Sequence, residues 1–300
     1  MGQTLMNKYA FEEYIEIVNK ALFSSLNADK TLSLGEEKMR EAMLYSVENG
    51  GKRIRPILTL EFCRICGGDI TTAIPLACAI EFIHTYSLIH DDLPCMDDDD
   101  MRRGKPSSHV RFGEANALLA GDSLLTFAFE TVANADKLDA CAKVEAISVL
   151  AKAAGFAGMI AGQVQDLENE EKSVTVEDLQ QVDNLKTGEL IKAACLLGCI
   201  AAGADAEKCK AATSFATNLG LAFQVVDDIL DVTSDEETLG KPVGSDVQNC
   251  KSTYVSLLCL EKAQKIASEL TDNAISSLSV FGEDAEFLIS LSKKLLSRSN

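Results

Sequence analysis

The chain has 300 residues, of which 47% are hydrophobic and 25% charged, and it carries a net charge of −18. This composition is globular and excludes bulk disorder, and so negative a balance repels phosphate backbones, so no nucleic-acid partner is expected. Tryptophan is absent and only 5 prolines interrupt the chain, which leaves long stretches free to be helical.

The N-terminal MGQTLMNKYAFEEY has no apolar core, so no signal peptide is expected. Met6 stands where a myristoylation signal needs Ser or Thr. Residues 36–48 place Met39, Met43, Leu44 and Val47 on one helical stripe, and Asn49-Gly50-Gly51 ends it. Further helices are predicted over 52–66, 72–92, 115–133, 142–165, 177–202, 208–232, 251–270 and 283–297. The second and third of these are the most apolar and should be buried. Loops are expected near 27–35, 103–113, 134–140, 168–176, 203–207, 233–250 and 271–282. No segment alternates with the two-residue period of a strand, and no linker or repeat divides the chain. The reading is an all-α fold with one domain over residues 1–300.

The longest stretch free of charge or strong polarity, 193–204, falls short of the ~20 residues a membrane span needs, so none is expected. The 10 cysteines are scattered, and without a secretory signal they read as reduced thiols of a cytoplasmic protein. Cys63 and Cys66 form a CxxC with no second pair or histidine at zinc-site spacing, so they read as small core residues.

Chemistry concentrates in two acidic clusters. In His90-Asp91-Asp92-Leu93-Pro94-Cys95-Met96-Asp97-Asp98-Asp99-Asp100, six carboxylates follow an apolar helix. Two charges ~4 Å apart repel by ~4 kcal/mol at an effective dielectric of about 20, so such crowding calls for cations. Asp91 and Asp97 are six apart, ~600° of helical turn, which leaves them ~120° out of line on a straight helix. A bulge at Pro94 would bring them together. In the second cluster, Phe223-Gln224-Val225-Val226-Asp227-Asp228-Ile229-Leu230-Asp231, Asp227 and Asp231 share a helix face. Carboxylate pairs without His or Cys favour Mg²⁺, whose shell substrate phosphates complete.

In so acidic a chain the cations are informative. Lys52 and Arg55, in Gly50-Gly51-Lys52-Arg53-Ile54-Arg55-Pro56, start a helix whose N–H groups favour anions. Arg102 and Arg103 follow the first acidic cluster, Lys186-Thr187-Gly188 interrupts a helical pattern, and Lys241 and Lys251 lie beyond the second cluster. The set suits two anionic groups, one bridged by metal and one held by Lys and Arg. His84 lies six residues before His90 and has the position of a phosphate donor or of a structural histidine. Gln163 and Asp166 either extend the polar site or face solvent. His109 sits in a loop, without an assigned role.

These motifs resemble the trans-isoprenyl diphosphate synthases, most closely the bacterial-type farnesyl diphosphate synthases. GGKRIRP, FIHTYSLIHDDLPCMDDDDMRRGKPSSH, GQVQD, LKTGELI, FQVVDDILD and LGKPVGSD followed by KST carry the resemblance from about residue 45 to 255. It implies an all-α bundle of about ten or more helices around a deep cavity, usually a homodimer. It implies about three Mg²⁺ ions on an allylic diphosphate, held by Asp91, Asp97 and Asp227 and supported by Asp92 and Asp231. Arg102, Lys186 and Lys241 would touch the same diphosphate. Lys52, Arg55, His84 and Arg103 would hold the diphosphate of isopentenyl diphosphate. Thr187, Gln224 and the carbonyl of Lys186 would stabilise the allylic carbocation, and Phe223 would pack by the isopentenyl chain.

The resemblance also puts the determinant of product length four and five residues before the first Asp, at Ser87 and Tyr86. One Tyr beside a small residue fits a C15 product, and a smaller residue in its place would point to C20. A geranylgeranyl diphosphate synthase and a catalytically silent subunit of a hetero-oligomeric synthase are the alternatives. A terpene cyclase lacks the second motif as DDILD, a head-to-head synthase lacks GGKRIRP, and a simple cation buffer leaves Lys52, Arg55, Arg102 and Arg103 unexplained. Tyr86→Ala should lengthen the prenyl product, read as alcohol length by gas chromatography after hydrolysis; an unchanged product would put the determinant elsewhere.

Overall fold

The structure is a computed structural model that describes residues 9–27, 31–169, 172, 174–233 and 252–297. These are overwhelmingly helical and fall into two compact units, one from the residues up to Ile147 with Ile200–Ala202, the other from Ser148–Cys199 and Gly203 onward.

The first unit contains α1 (Phe11–Leu26), α2 (Leu34–Glu48), α3 (Ile54–Ile65), α4 (Ile70–Asp91), α5 (Ser108–Phe112), α6 (Glu114–Ala133) and the start of α7 (Ala140–Ala154). α1 was not anticipated from the sequence; its buried stripe is Tyr14, Val18, Leu22 and Leu26. α4 is the centre and packs on α3 and α6. The Asp69 side chain starts it by accepting from the Thr71 N–H at 3.0 Å. It is apolar nearly all round, as a core helix is, with Leu76, Ile80, Phe82 and Ile83 buried and Phe82 packed on Phe127 of α6. Each such side chain contributes roughly 1.5–3 kcal/mol on burial.

Between α4 and α5 runs a hairpin, β1 (Met101–Arg102) against β2 (Lys105–Pro106). It replaces part of the loop expected over 103–113. Two-residue strands show no alternation to read, whereas Arg103 and Gly104, both at positive φ, form a tight primed-type turn.

The second unit contains the end of α7, α8 (Met159–Asn169), α9 (Val176–Asp183), most of α10 (Glu189–Ala202), α11 (Ala206–Thr233), α12 (Tyr254–Leu258), α13 (Leu260–Ser277) and α14 (Glu286–Leu296). The helix expected over 142–165 breaks at 155–158, between α7 and α8. The loop expected over 271–282 is the last turns of α13 and a 3₁₀ stretch, Leu278–Ala285. α11 and α13 form the core, where Val225, Val226, Ile229 and Leu230 meet Tyr254, Ala263 and Ala267. Cys259, at φ 86°, turns α12 into α13.

Between α9 and α10 the chain keeps turning but as a π-helix, Asn184–Gly188, in which the Glu189 N–H reaches the Asn184 carbonyl five residues back. Two glycines let other helices press on it. A Cβ on Gly162 of α8 would lie 2.7 Å from the Cα of Lys186, and one on Gly220 of α11 would lie 3.2 Å from the Cα of Gly188.

Two stretches are, by length and composition alone, long and apolar enough to cross a membrane. One is α4, mostly buried here as a core helix is, and the other is Ala140–Asn169, which contains the break at 155–158.

Gly162→Ala should destabilise the protein by about 1–3 kcal/mol, because the methyl meets backbone that cannot move aside. A denaturant midpoint equal to the wild type's would show that α8 and the π turn are not so tightly packed.

Candidate functional site

α4 ends at Asp91, and the chain then curls back so that the Asp97 N–H donates to the Asp91 carbonyl at 2.9 Å. The expected bulge is thus a helix-terminating turn, closed by Met96 N–H to Leu93 O and Asp98 N–H to Leu93 O, with Asp98 at positive φ. It still brings Asp91 and Asp97 side by side in the chain path. Asp91 is half-buried and Asp97 exposed. Asp92 is not open in the same way. Its buried carboxylate is gripped by Arg102, with Nε at 2.9 Å and a second contact from NH2, and Arg102 also reaches Asp99 at 3.4 Å. Burial pushes the Asp92 pKa up while Arg102 pulls it back. The structure therefore shows Asp92 and Arg102 engaged with each other.

The basic residues converge behind this turn. Arg53, at φ 50°, points inward; it is 3% exposed and donates to Glu81 at 2.7 Å, to Asn19 at 3.0 Å and to the Val47 carbonyl. The next arginine of the motif, Arg55, lies on α3 with a buried Nε that has no hydrogen-bond partner among the described residues. Arg103, at the tip of the hairpin turn, lays its guanidinium over Gly51, whose missing side chain makes room: a Cβ there would be 2.8 Å from Arg103 Cζ. His84 sits among these groups. Burial first, then Arg55, Arg103, Arg53 and Arg102, hold its pKa well below the ordinary histidine value. Burial also lowers the pKa of Arg55, against the pull of Glu81. Positive charge so gathered, with an unpartnered guanidinium N–H, could hold a multiply charged anion. Lys52 is exposed at its edge.

Tyr86 is buried to 5% exposure, edge-on to His90 at 5.6 Å. His90 in turn donates from Nε2 to the Leu118 carbonyl of α6 at 3.0 Å and presses on Gly121, where a Cβ would be 2.9 Å from Cε1. Those α6 residues were not individually legible in the sequence; only the apolar character of 115–133 hinted at them. Ser87 is half-buried and donates to the His84 carbonyl at 3.0 Å.

In the second unit the π turn presents Lys186 and Thr187, both half-buried, and Lys186 pairs with Asp166 of α8 at 2.7 Å. Asp166 thus belongs to the polar site rather than to an open surface. On α11, Asp227 is half-buried and Asp231, one turn on, is buried. Asp228 Oδ2 accepts the Tyr254 N–H at 2.7 Å, tying the second motif to the start of α12. Gln224 is half-buried, and Phe223 borders a small gap with Thr271, Ser292 and Leu295. Asp183, the residue before the π turn, is a buried carboxyl that the sequence reading did not single out. Lys241, Lys251 and the LGKPVGSD motif lie outside the described residues.

The open carboxylates among these residues, half-buried Asp91 and Asp227 and exposed Asp97, are hard oxygen donors of the kind Mg²⁺ takes. No group of three such acids, histidines or cysteines comes together among the described residues. Cys63 is buried and Cys66 half-buried, both as free thiols on or beside α3.

The chain is similar to known proteins. The polyprenyl synthetase family model matches residues 36–286. A farnesyl diphosphate synthase of Geobacillus stearothermophilus is 47% identical over 87% of this chain and 88% of its own. The large subunit 1 of a heterodimeric chloroplastic geranylgeranyl pyrophosphate synthase of Arabidopsis thaliana is 45% identical over 95% of this chain and 78% of its own. Among solved structures, a geranyltransferase of Helicobacter pylori complexed with magnesium and isoprenyl diphosphate is similar with a TM-score of 0.83 and 35% identity, over 97% of this chain and 99% of that one.

Because His84 is held neutral in the folded chain, the unfolded chain binds the extra proton first. Its contribution to stability is therefore lost as pH falls below about 6.5, at up to about 1.4 kcal/mol per pH unit. His84→Gln should lose less stability than the wild type between pH 7.5 and 5.5 in urea unfolding; equal losses would refute the charged setting of His84. The family model spans most of the chain, and relatives 44–47% identical cover it nearly end to end: this chain belongs to the polyprenyl synthetases.

Proposed function

We propose that this prenyltransferase joins isopentenyl diphosphate head-to-tail to dimethylallyl and geranyl diphosphates and releases (2E,6E)-farnesyl diphosphate. One observation carries the reading: the Arg55, His84 and Arg103 anion site lies directly behind the first aspartate motif, in a chain 47% identical to a farnesyl diphosphate synthase.

In this reading Lys52, Arg55, His84 and Arg103 hold the isopentenyl diphosphate. Carboxylates of both aspartate motifs, with Asp91, Asp97 and Asp227 foremost, would hold Mg²⁺, which when bound neutralises the allylic diphosphate. Lys186, Arg102 and Lys241 add charge to that neutralisation. The allylic C–O bond breaks and its electron pair leaves with the diphosphate oxygen. The Gln224 side chain, Thr187 and the Lys186 carbonyl face the positive carbon. The isopentenyl double bond then attacks it, a C–C bond forms, and the proton lost from the adjacent carbon passes to the released diphosphate. Apolar side chains keep water from the cation.

Tyr86, buried and braced by His90, supports a C15 rather than a C20 product. Geranylgeranyl synthases at 44–45% identity make C20 the second outcome to test. The homodimer is part of the proposal and is supported by Val110, Leu118 and Leu119, which stand 46–50% exposed on α5 and α6. A cytoplasmic setting is supported by the nine described cysteines, all free thiols.

Purified protein with Mg²⁺, dimethylallyl diphosphate and excess isopentenyl diphosphate should give mainly farnesol after hydrolysis. A C20 alcohol would keep the chemistry and overturn the length assignment, and no product with any allylic primer would favour the silent-subunit reading. Asp91→Ala and Asp227→Ala should each lower turnover by about 10³-fold or more while leaving the fold intact by circular dichroism.

A further inference from the structure

Asp183 is the last residue of α9, immediately before the π turn that carries Lys186 and Thr187. It is 8% exposed, and its Oδ2 has no hydrogen-bond partner among the described residues. A buried, half-satisfied carboxyl costs stability, so its surroundings are informative. Its carboxyl is in polar contact with the Tyr254 hydroxyl of α12 and with the Gln224 amide of α11. Tyr254 is fully buried and is itself bolted to the second aspartate motif through Asp228. The other charges facing Asp183 are Asp166 from α8 and Lys186 from the π turn. Three helices and the π turn thus meet at this one carboxyl.

We propose that Asp183 is a positioning residue for prenyl transfer: its carboxylate accepts from the Gln224 amide N–H and so turns the Gln224 carbonyl oxygen toward the developing positive carbon. The inference rests on the prenyltransferase reading, in which Gln224 faces that carbon. A side-chain amide has a donor end and an acceptor end, and a carboxylate can engage only the donor end. A protonated Asp183 can donate instead, to the Gln224 oxygen, and would present the amide's N–H groups to the cation, the wrong polarity. Burial, reinforced by Asp166 and opposed by Tyr254, Gln224 and Lys186, raises the Asp183 pKa to about 7. The productive orientation is therefore gained as pH rises through about 7.

The test is steady-state kinetics from pH 6 to 8.5 on the full chain with Mg²⁺. Wild-type kcat should rise through a limb near pH 7. Asp183→Asn, which keeps the shape but has no carboxylate, should lack that limb and turn over about 10- to 100-fold more slowly at pH 8, with both KM values within about twofold. Asp183→Ala combined with Gln224→Ala should be no slower than Gln224→Ala alone, because the two act as a unit. If the Ala variants do not fold, Asp183→Glu should restore the limb that Asp183→Asn lacks. An unchanged limb in Asp183→Asn, or losses that multiply in the double variant, would overturn the role of Asp183. A Gln224→Ala enzyme with wild-type kcat would overturn it through its premise, and a wild type that makes no prenyl product would overturn the underlying reading instead.

Discussion

Arg53 is buried to 3% exposure with its backbone in the left-handed region, held by Glu81, Asn19 and the Val47 carbonyl. A guanidinium in that setting is tolerable only with its donors paired. Glu81 meets the need from the middle of α4, the helix on which the first unit is built. With Arg53 drawn inward, Arg55 rides on α3 and Gly51 leaves open the space into which Arg103 folds. The anion site and the anchoring ion pair thus depend on one another: the same helix supplies Glu81 beneath, His84 one turn above, and Asp91 at its end.

Within each unit, charge of both signs is concentrated within a few turns, and the protein manages the two signs differently. Some acids are neutralised internally, as Asp92 by Arg102 and Asp166 by Lys186. Asp91, Asp97 and Asp227 stay half-buried or exposed, which suits groups that trade water for a divalent ion. On the basic side, Arg55 and His84 are gathered with Arg103 and lose part of their affinity for protons. That destabilisation is the reverse side of affinity for a polyanion, since a bound diphosphate would relieve it.

Close backbone approach is the second recurring device. Gly162 and Gly220 let α8 and α11 press on the π turn, and Gly121 lets α6 press on His90. A π turn is costly compared with an α turn and survives where packing over-determines it. Here it re-aims Lys186 and Thr187 within an otherwise continuous helical run, with Asp183 buried at its start.

Much of this was legible in the amino-acid order alone. The helical period marked most of the helices, and the two aspartate clusters, Lys52-Arg53-Ile54-Arg55 and Lys186-Thr187-Gly188 marked the candidate site, because helix patterning and charge crowding are local properties. α1 escaped notice, and so did the hairpin, whose two-residue strands carry no pattern. What only the tertiary structure decided is which charge answers which. Sequence spacing does not reveal that Arg53 turns inward to Glu81 while Arg55 and Arg103 meet at His84, that Asp92 belongs to Arg102, or that Asp183 meets Gln224 and Tyr254. Those partners lie on different elements, and their pairing is set by helix ends, positive-φ turns and glycine contacts, which exist only once the helices have packed.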